Sequence, residues 1–355
     1  MTRIKISLLL PCWNEIDFIE AVLRNALEQK ISSEEMEILV IDGGSDDGTR
    51  EVVQRYAATH PQIQLLDNPD RYVPQAMNRG IHAARGEVII RWDAHAAYPT
   101  DYVSRLVDYL EREGVDNVGG RWEIAPRNPG ARARAIALVL AHPLGVGNAT
   151  YRLAKEGARE VDTVPFGCYP RRVFERFGQY DERLRRNQDI ELNRRILRGG
   201  GRIVLLPEVV ITYYARSTYG GLWRNNFANG EWVIRTAAYT GTLDALSLRH
   251  FAPLVFILGM LGMLVLLLLA LTVGLPTWLV LLALLPSAYF ALTFGAAVWT
   301  SWQKGQLDTL FPLTWSFWVL HFSYGCGSLV GLAKVWRQRS DEKTEKNTHK
   351  STESG

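Results

Sequence analysis

The sequence predicts an α/β protein whose N-terminal part is a doubly wound, mostly parallel sheet and whose C-terminal part is a set of transmembrane helices. Two observations support this prediction. From residue 1 to about residue 205, strand-like and helix-like segments alternate, a pattern typical of repeated βα units with helices on both faces of a sheet. Beyond residue 250, long apolar runs without charged residues replace this alternation, and their length suits a bilayer.

The N-terminal elements follow from hydrophobic spacing. Strand-like segments are short and rich in β-branched and aliphatic residues, whereas helix-like segments carry apolar residues three or four positions apart. The predicted strands are residues 4–10, 37–41, 63–66 and 88–92. The predicted helices are residues 18–29, 49–59, 74–84 and 101–112. Farther along, residues 131–141 can form another helix, and residues 145–151 have a loop-like composition.

Composition divides the chain into four parts. We expect an α/β domain at residues 1–214, an amphipathic interfacial helical segment at 215–248, a membrane domain at 249–335 and a disordered charged tail at 336–355. For the second part, a soluble surface helix is the alternative to a helix that lies on a membrane.

The membrane domain contains about three apolar segments, at residues 251–273, 278–299 and 310–333, and a turn at 274–277 joins the first two. If the α/β domain is cytoplasmic, three spans place the C-terminus outside. The basic residues after the third segment favour the inside (Lys334, Arg337, Arg339). Either the third segment is re-entrant or interfacial, or this charge bias is overridden; we expect three spans.

Bulk composition excludes some classes of protein. The formal net charge of +3 gives no reason to expect nucleic-acid binding. The three cysteines lie too far apart in sequence to suggest a metal site and are expected to be reduced thiols (Cys12, Cys168, Cys326). The apolar run at residues 6–10 is too short for a signal peptide, so we expect the α/β domain to stay in the cytoplasm.

Asp93 and His95 directly follow the predicted strand at residues 88–92. In open α/β sheets the carboxyl ends of strands line the ligand crevice. A carboxylate and an imidazole two residues apart can hold a divalent cation against a diphosphate. The alternative is an ordinary strand end with a solvated Asp93 and an unrelated His95.

Two other strand ends carry polar residues. Asn14 and Glu15 follow the first strand, and Asp42 ends the second, where it can accept hydrogen bonds from a base or a ribose. The glycines after Asp42, including Gly44, let the backbone approach a ligand closely. Alternatively, Asn14 only caps the next helix.

Four motifs occur in order with suitable spacing, at residues 11–15, 42–49, 76–80 with 84–86, and 93–95. Over residues 4–210 the chain resembles the family 2 glycosyltransferases of the GT-A fold. The resemblance implies a nucleotide-diphospho-sugar donor, with Asp42 near the uracil. It also implies a donor site that comprises Pro11, Asn14, Glu15, Gly44, Asn78 and Asp93, with Gly167 in a turn beside the donor sugar.

The resemblance further implies that Asp93 and His95 stand at the metal motif of the family, which usually has two acids. His95 replaces the second acid, a change that still permits Mg²⁺ or Mn²⁺ and favours Mn²⁺. A divalent cation acts as a Lewis acid on the diphosphate leaving group. In inverting members a Glu-Asp pair opens a helix and its Asp is the general base. Here Gln188 replaces that Glu, Asp189 matches the base, and Glu191 is the reserve candidate. The alternative for Asp189 is an acid that stabilises the helix start.

Within the family, the chain is most similar to the succinoglycan-type membrane glucosyltransferases. The implied reaction transfers one sugar, glucose by resemblance, from a UDP-sugar to a polyprenyl-diphosphate-linked saccharide in exopolysaccharide or cell-surface glycan synthesis. The implied location is the inner (cytoplasmic) membrane, multi-pass, with the catalytic domain in the cytoplasm, membrane lipid around it, and other polysaccharide-assembly enzymes as possible partners. The Gln-x-x-Arg-Trp motif of processive members is absent from the sequence. A processive synthase and a non-catalytic membrane scaffold stay open as alternatives.

Overall fold

The computed structural model describes residues 4–147, 157–241, 250–273 and 284–353. The chain forms two compact units. The first comprises Met1–Ala125 and Ala149–Tyr214, and the second comprises Pro126–Asn148 and Ala215–Gly355.

The first unit begins with four βα repeats. Their strands pair in parallel in the order β3-β2-β1-β4 (β1 Ile6–Cys12, β2 Met36–Asp42, β3 Ile63–Asp67, β4 Val88–Arg91). The intervening helices are α1 Ile19–Leu27, α2 Thr49–Thr59, α3 Val73–Ala83 and α4 Tyr102–Glu113. All eight predicted elements are confirmed, with bounds that agree to about two residues, the usual uncertainty of element ends.

The second half of the sheet differs from the prediction. Its strands continue the sheet in the order β4-β8-β6-β9-β5, with β7 against β9 (β5 Ala96–Ala97, β6 Asn117–Pro126, β7 Arg159–Glu160, β8 Cys168–Pro170, β9 Ile203–Ala215). The β4–β8, β8–β6, β7–β9 and β5–β9 pairs are antiparallel, so the sheet is mixed and "mostly parallel" was wrong. The βα alternation on which that expectation rested ends with α4, and parallel pairing depends on such crossover helices.

Apolar side chains pack on both faces of this sheet, as a doubly wound arrangement requires. Leu8 and Leu10 point into one cluster, which α1 and α4 cover, while Leu9 points into the other, which α3 covers together with α8 (Gln188–Arg198). Because successive side chains of a strand alternate between faces, a strand buried on both faces reads as an unbroken apolar run. This burial explains the composition of residues 6–10.

The second unit is helical. Its elements are α5 Ala131–Ala141, α6 Pro143–Val146, α9 Tyr219–Thr240, α10 Ala252–Val273, α11 Leu284–Gln303 and α12 Leu310–Glu353; the short α7 (Arg172–Phe177) belongs to the first unit. The predicted α/β domain includes residues 126–148, but these belong to the second unit. The reason is the apolar surface of α5, where Ala135 and Val139 are buried against Leu313 and Phe317 of α12.

Helix α9 confirms the predicted helix within residues 215–248, but it packs along α12 and does not lie alone on a surface. Gly230 of α9 and Gly327 of α12 permit this packing. A Cβ at Gly230 would overlap the Tyr324 carbonyl oxygen, and a Cβ at Gly327 would overlap the Phe227 carbonyl oxygen. The sequence does not predict this packing, because a glycine on a helix does not indicate which other helix it contacts.

One helix among the described residues, at Ala252–Ala270, is long and apolar enough to cross a membrane. The predicted turn at 274–277 and the start of the second apolar run lie outside the described residues, and α11 begins at Leu284. Three membrane spans therefore stay a prediction.

The predicted disordered tail at residues 336–355 is helical as far as Glu353, where α12 ends. The sequence contains neither Gly nor Pro between Leu332 and Ser354. Because extending an existing helix requires no new nucleus, a polar segment without helix breakers can continue one.

Candidate active site

Three loops meet at the carboxyl edge of the parallel strands. Cys12 at the end of β1 lies opposite Asp42 at the end of β2. Trp92, which directly follows β4, donates its backbone N–H to the carbonyl oxygen of Leu9 in β1 (2.8 Å). Pro11 lies in register with Ile41. The polar residues that follow these strands therefore share one crevice, which in this class of sheet is the ligand side.

Asn14 joins the loop after β1 to the loop after β2. Its backbone is left-handed (φ 55°), and its N–H donates to Ser45 Oγ (2.8 Å). Its side-chain amide donates to Asp46 Oδ1 (2.9 Å) and accepts from the Asp46 N–H (3.0 Å). The Glu15 N–H donates to Thr49 Oγ1 (2.9 Å). Asn14 thus shapes the crevice, and its contact with a nucleotide stays a prediction.

Asp42 organises the glycine-containing loop. Its buried carboxylate accepts hydrogen bonds from the N–H groups of Gly44 (2.9 Å) and Ser45 (3.0 Å) and from Arg50 Nη1 (2.7 Å). Burial raises the pKa of a carboxyl, but the bonds from Ser45, Arg50 and Gly44 outweigh that effect and lower the pKa of Asp42 below its ordinary value. Gly44 itself is left-handed (φ 78°), a conformation that favours glycine. The predicted contact of Asp42 with the base stays untested.

Asp93 and His95 form a tight turn after β4. The His95 N–H donates to Asp93 Oδ1 (3.0 Å), and the Asp93 N–H donates to the Tyr98 hydroxyl (2.9 Å). The His95 ring meets the Phe18 ring edge-on, with centroids 4.7 Å apart. His95 Nε2 lies 3.1 Å from Glu15 Oε1, so the imidazole also touches the loop after β1.

These residues fit a divalent cation. Histidines that bind metals usually donate their second ring N–H to a carboxylate, and the contact of His95 Nε2 with Glu15 is compatible with that arrangement. The predicted oxygen ligand is the Asp93 carboxylate. Among the residues that the structure describes, no group of three or more His, Cys, Asp and Glu side chains is arranged around a common point. A cation here would therefore need oxygens from a bound diphosphate to complete its coordination.

Asp189 reaches this edge from the antiparallel half of the sheet. It is the second residue of α8, and left-handed Asn187 (φ 61°) turns the chain into that helix. Arg91 Nη1 donates to Asp189 Oδ2, and Arg91 Nη2 lies 3.9 Å from Asp93 Oδ2. The acid predicted for the metal and the acid predicted as base therefore share one guanidinium.

The two oxygens of Asp189 have different surroundings. Oδ2 accepts the bond from Arg91, whereas Oδ1 is buried and has no hydrogen-bond partner among the described residues. Buried polar atoms in proteins are nearly always paired with protein or ordered water. The hydrogen-bond partner of Oδ1 is therefore not among the described residues.

Arg91 is the residue that the sequence analysis missed. Its side chain is only 10% exposed. Burial lowers the pKa of a guanidinium, but Asp189 and Asp93 more than compensate and raise the pKa of Arg91. The signal was present in the sequence, because a charged residue that ends a buried apolar strand is rarely left unpaired.

Three other predicted residues lie behind this constellation. Asn78 uses its whole side-chain amide to hold the segment before α8, since it bonds both backbone groups of Tyr180 and Oε1 of Glu182 (2.8 Å). A Cβ at Gly167 would overlap the Tyr169 ring, and the Gly167 carbonyl oxygen accepts from the Arg91 N–H (3.1 Å). Glu191, the reserve base, is buried and paired with Arg195 (2.6 Å), which makes it a structural residue.

The profile of glycosyl transferase family 2 matches residues 7–178. The succinoglycan biosynthesis protein ExoA of Rhizobium meliloti is 31% identical over 235 residues, which are 65% of this chain and 69% of ExoA. The chain belongs to glycosyltransferase family 2.

A second relative of this family 2 enzyme is the dolichyl N-acetyl-alpha-D-glucosaminyl phosphate 3-beta-D-2,3-diacetamido-2,3-dideoxy-beta-D-glucuronosyltransferase of Methanococcus voltae. It is 28% identical over 221 residues, 60% of this chain and 68% of the relative. Among solved structures, the mannosyltransferase PcManGT of Pyrobaculum calidifontis, in complex with GDP-Man and Mn²⁺, has a TM-score of 0.57 at 19% identity, over 92% of this chain and 87% of PcManGT.

Membership of family 2 makes the protein a transferase of glycosyl groups with a GT-A-like sheet. Asp93 and His95 lie within the matched residues, whereas Asp189 lies beyond residue 178. The role of Asp189 therefore depends on the geometry described above.

Proposed function

We propose that this family 2 enzyme is an inverting glycosyltransferase that moves one sugar from a nucleotide-diphospho-sugar to a lipid-linked saccharide at a membrane. The observation that carries the proposal is the placement of Asp189. Its Oδ1 has no partner among the described residues, its Oδ2 is fixed by Arg91, and the same guanidinium adjoins Asp93. A base and a donor-side acid held this way can act on opposite sides of one anomeric carbon.

The chemistry is a single displacement. The acceptor hydroxyl gives its proton to the Asp189 carboxylate while its oxygen attacks the anomeric carbon. The bond from that carbon to the diphosphate oxygen breaks, and its electron pair leaves with the nucleoside diphosphate. Attack opposite the leaving group inverts the anomeric centre, so an α-linked donor gives a β-linkage.

Asp93 and His95 would hold a divalent cation, and Mn²⁺ suits this carboxylate and imidazole pair better than Mg²⁺. The cation that they would hold would supply positive charge to stabilise the diphosphate leaving group. Glu15 orients the His95 imidazole, and Asn14 and Asp42 fix the loops that form the nucleotide side of the crevice.

The relatives support the classes of donor and acceptor. PcManGT was solved with GDP-Man and Mn²⁺, which favours a nucleotide-sugar and a divalent cation. The Methanococcus voltae relative is named for a dolichyl-phosphate-linked acceptor, and ExoA for succinoglycan biosynthesis. We propose UDP-glucose as donor and a polyprenyl-diphosphate-linked saccharide as acceptor.

The C-terminal apolar segments support a membrane location. The helix at Ala252–Ala270 can span a bilayer. We propose an inner-membrane, multi-pass protein whose catalytic unit faces the cytoplasm, where nucleotide-sugars are available, and which works beside other polysaccharide-assembly enzymes.

A turnover assay on the full chain in detergent tests the proposal. The protein is incubated with Mn²⁺, a panel of UDP-sugars and GDP-mannose, and a polyprenyl-diphospho-saccharide. Released nucleoside diphosphate and product mass are measured. We expect one added sugar per acceptor, no turnover after EDTA, and β-anomeric product. A ladder of products would instead indicate a processive synthase, and no turnover with any donor would contradict the proposal.

A further inference from the structure

Arg91 lies between two carboxylates that come from distant parts of the chain. Its Nη1 donates to Asp189 Oδ2, and its Nη2 lies 3.9 Å from Asp93 Oδ2. All three side chains are less than one-third exposed, at 10% for Arg91, 32% for Asp189 and 23% for Asp93. The guanidinium thus forms ion pairs with both the donor-side acid and the proposed base.

The position of Arg91 is fixed by the sheet. Arg91 is the last residue of β4, where it pairs with Leu9 of β1, and its N–H donates to the Gly167 carbonyl oxygen (3.1 Å). The Phe166 ring lies 6.0 Å from the centre of its guanidinium. A group anchored to central strands is held more precisely than one on a loop, so Arg91 can act as a reference point for mobile side chains.

Stability of the fold does not explain this cluster. Buried ion pairs often contribute no more to stability than well-packed apolar residues of similar volume, because desolvating the charges opposes their attraction. Arg91 Nε is also buried without a hydrogen-bond partner among the described residues, which adds a further cost. If residue 91 only filled space in the core, an aliphatic side chain would do so without the cost of desolvating a charge.

What Arg91 does provide is control over the Asp189 carboxylate. Asp189 lies in the first turn of α8, where backbone N–H groups lack partners within the helix, and Asn187 supplies no side-chain cap. An untethered carboxylate at this position would turn toward those N–H groups. The bond from Arg91 to Oδ2 opposes that rotation and keeps the carboxylate at the carboxyl edge of the parallel strands.

We propose that Arg91 is a positioning residue that holds the Asp189 carboxylate in the orientation in which it accepts the proton of the acceptor hydroxyl. This inference rests on the proposed function. Arg91 acts through Asp189, so its loss affects the chemical step and leaves donor binding in place.

The test compares kcat with KM in four full-length proteins: wild type, Arg91→Gln, Arg91→Lys and Arg85→Gln. The last is a matched control, because Arg85 Nε pairs with buried Glu37 Oε2 (2.7 Å) near the opposite edge of the parallel strands. We expect Arg91→Gln to lower kcat by about 100-fold, the loss typical of a misplaced catalytic group, with donor KM within about twofold.

The kcat of Arg91→Lys should lie between those of wild type and Arg91→Gln. An ammonium supplies the positive charge but lacks the planar guanidinium that can reach two carboxylates. Arg85→Gln should melt at a lower temperature and keep the wild-type kcat. If Arg91→Gln does not fold, Arg91→Lys decides alone: a reduced kcat at unchanged donor KM supports the inference.

A wild-type kcat in a folded Arg91 variant, or a loss confined to donor KM, would overturn the inference. Failure of the proposed function is a separate result, since it would appear as absence of turnover in the wild type itself.

Discussion

His95 Nε2 lies 3.1 Å from Glu15 Oε1, and this contact joins the loop after β4 to the loop after β1. From the sequence, Glu15 is predicted to line the nucleotide pocket and His95 to bind the metal, with no contact expected between the two. If His95 binds a metal as proposed, this contact would make Glu15 its outer partner, a role that fixes the ring orientation and raises the basicity of the other nitrogen. The contact therefore links the predicted nucleotide side of the crevice to the predicted metal side.

Glu15→Ala tests this link. We expect the Mn²⁺ concentration that gives half-maximal turnover to rise by about 10- to 100-fold, the usual effect of removing such a partner. The measurement is a Mn²⁺ titration at saturating donor. Glu20→Ala removes a carboxylate from an exposed ion pair on α1 and is the control, with no expected change. An unchanged Mn²⁺ titration in Glu15→Ala would show that Glu15 does not support the histidine.

The identity of residue 95 predicts metal preference. Imidazole suits transition metals, whereas a carboxylate suits Mg²⁺. Wild type should therefore turn over faster with Mn²⁺ than with Mg²⁺, and His95→Asp should reduce that ratio. The measurement is the turnover rate of each protein at saturating Mn²⁺ and at saturating Mg²⁺. If His95→Asp leaves the Mn²⁺-to-Mg²⁺ rate ratio unchanged, His95 is not a metal ligand.

Asp189 and Glu191 lie two residues apart on α8 but have opposite expected effects. Asp189→Asn removes the base, so kcat should fall by about 10²- to 10⁴-fold. Glu191→Gln breaks a buried pair with Arg195, so it should lower the free energy of unfolding by about 3 kcal/mol and leave kcat near wild type. Turnover and thermal unfolding of both variants separate the roles, and full activity of Asp189→Asn would reject the mechanism.

The parts of the fold that are local in sequence were predictable. The four βα repeats follow from hydrophobic spacing, and Asp93, Asp42 and Asn14 follow strands, so their meeting at one edge was expected. Pairings between distant segments were not predictable. Arg91 pairs with Asp189, which lies 98 positions later in the sequence. The residues around Arg91 do not indicate this partner, and those around Asp189 do not either.

The same limit explains the errors in domain assignment and sheet direction. The apolar surface of α5 fits equally well against a sheet or against another helix, and only the tertiary structure shows it on α12. Strands β7 and β8 have two and three residues, which is too short for an alternating pattern to be recognised.

Asp42 predicts a dependence of stability on pH. Its pKa is lowered in the folded protein, because bonds from Ser45, Arg50 and Gly44 outweigh the effect of burial. The folded state therefore binds fewer protons than the unfolded state. The resulting stabilisation is present above the ordinary carboxyl pKa of 3.8 and is lost as the pH falls through the lower, folded value.

Asp42→Asn should lower the melting temperature at pH 6 and show a weaker decline than wild type between about pH 4 and pH 2. Other carboxyls with lowered pKa contribute to the wild-type curve, so the comparison uses the difference between the two proteins (Asp47, Asp181, Glu231). A difference that does not change with pH would show that Asp42 is not responsible.

Gly230 and Gly262 predict opposite effects of the same substitution. A Cβ at Gly230 would overlap the Tyr324 carbonyl oxygen, so Gly230→Ala must push α9 away from α12. Overpacking of this kind lowers the free energy of unfolding by about 1 to 3 kcal/mol. At Gly262 of α10 a Cβ would have no atom of the described residues within 4 Å. Alanine there should be neutral or stabilise the helix by up to about 1 kcal/mol, since it restricts the unfolded chain.

Thermal unfolding of the two variants in the same detergent shows whether each substitution raises or lowers the melting temperature. The comparison also distinguishes the two interpretations of residues 215–240. If α9 packs on α12, only Gly230→Ala is destabilised, because the carbonyl of Tyr324 is in place to meet the added methyl group. If α9 instead lay alone on a membrane surface, alanine would favour the helix at Gly230 as it does at Gly262, and both variants would melt at or above the wild-type temperature.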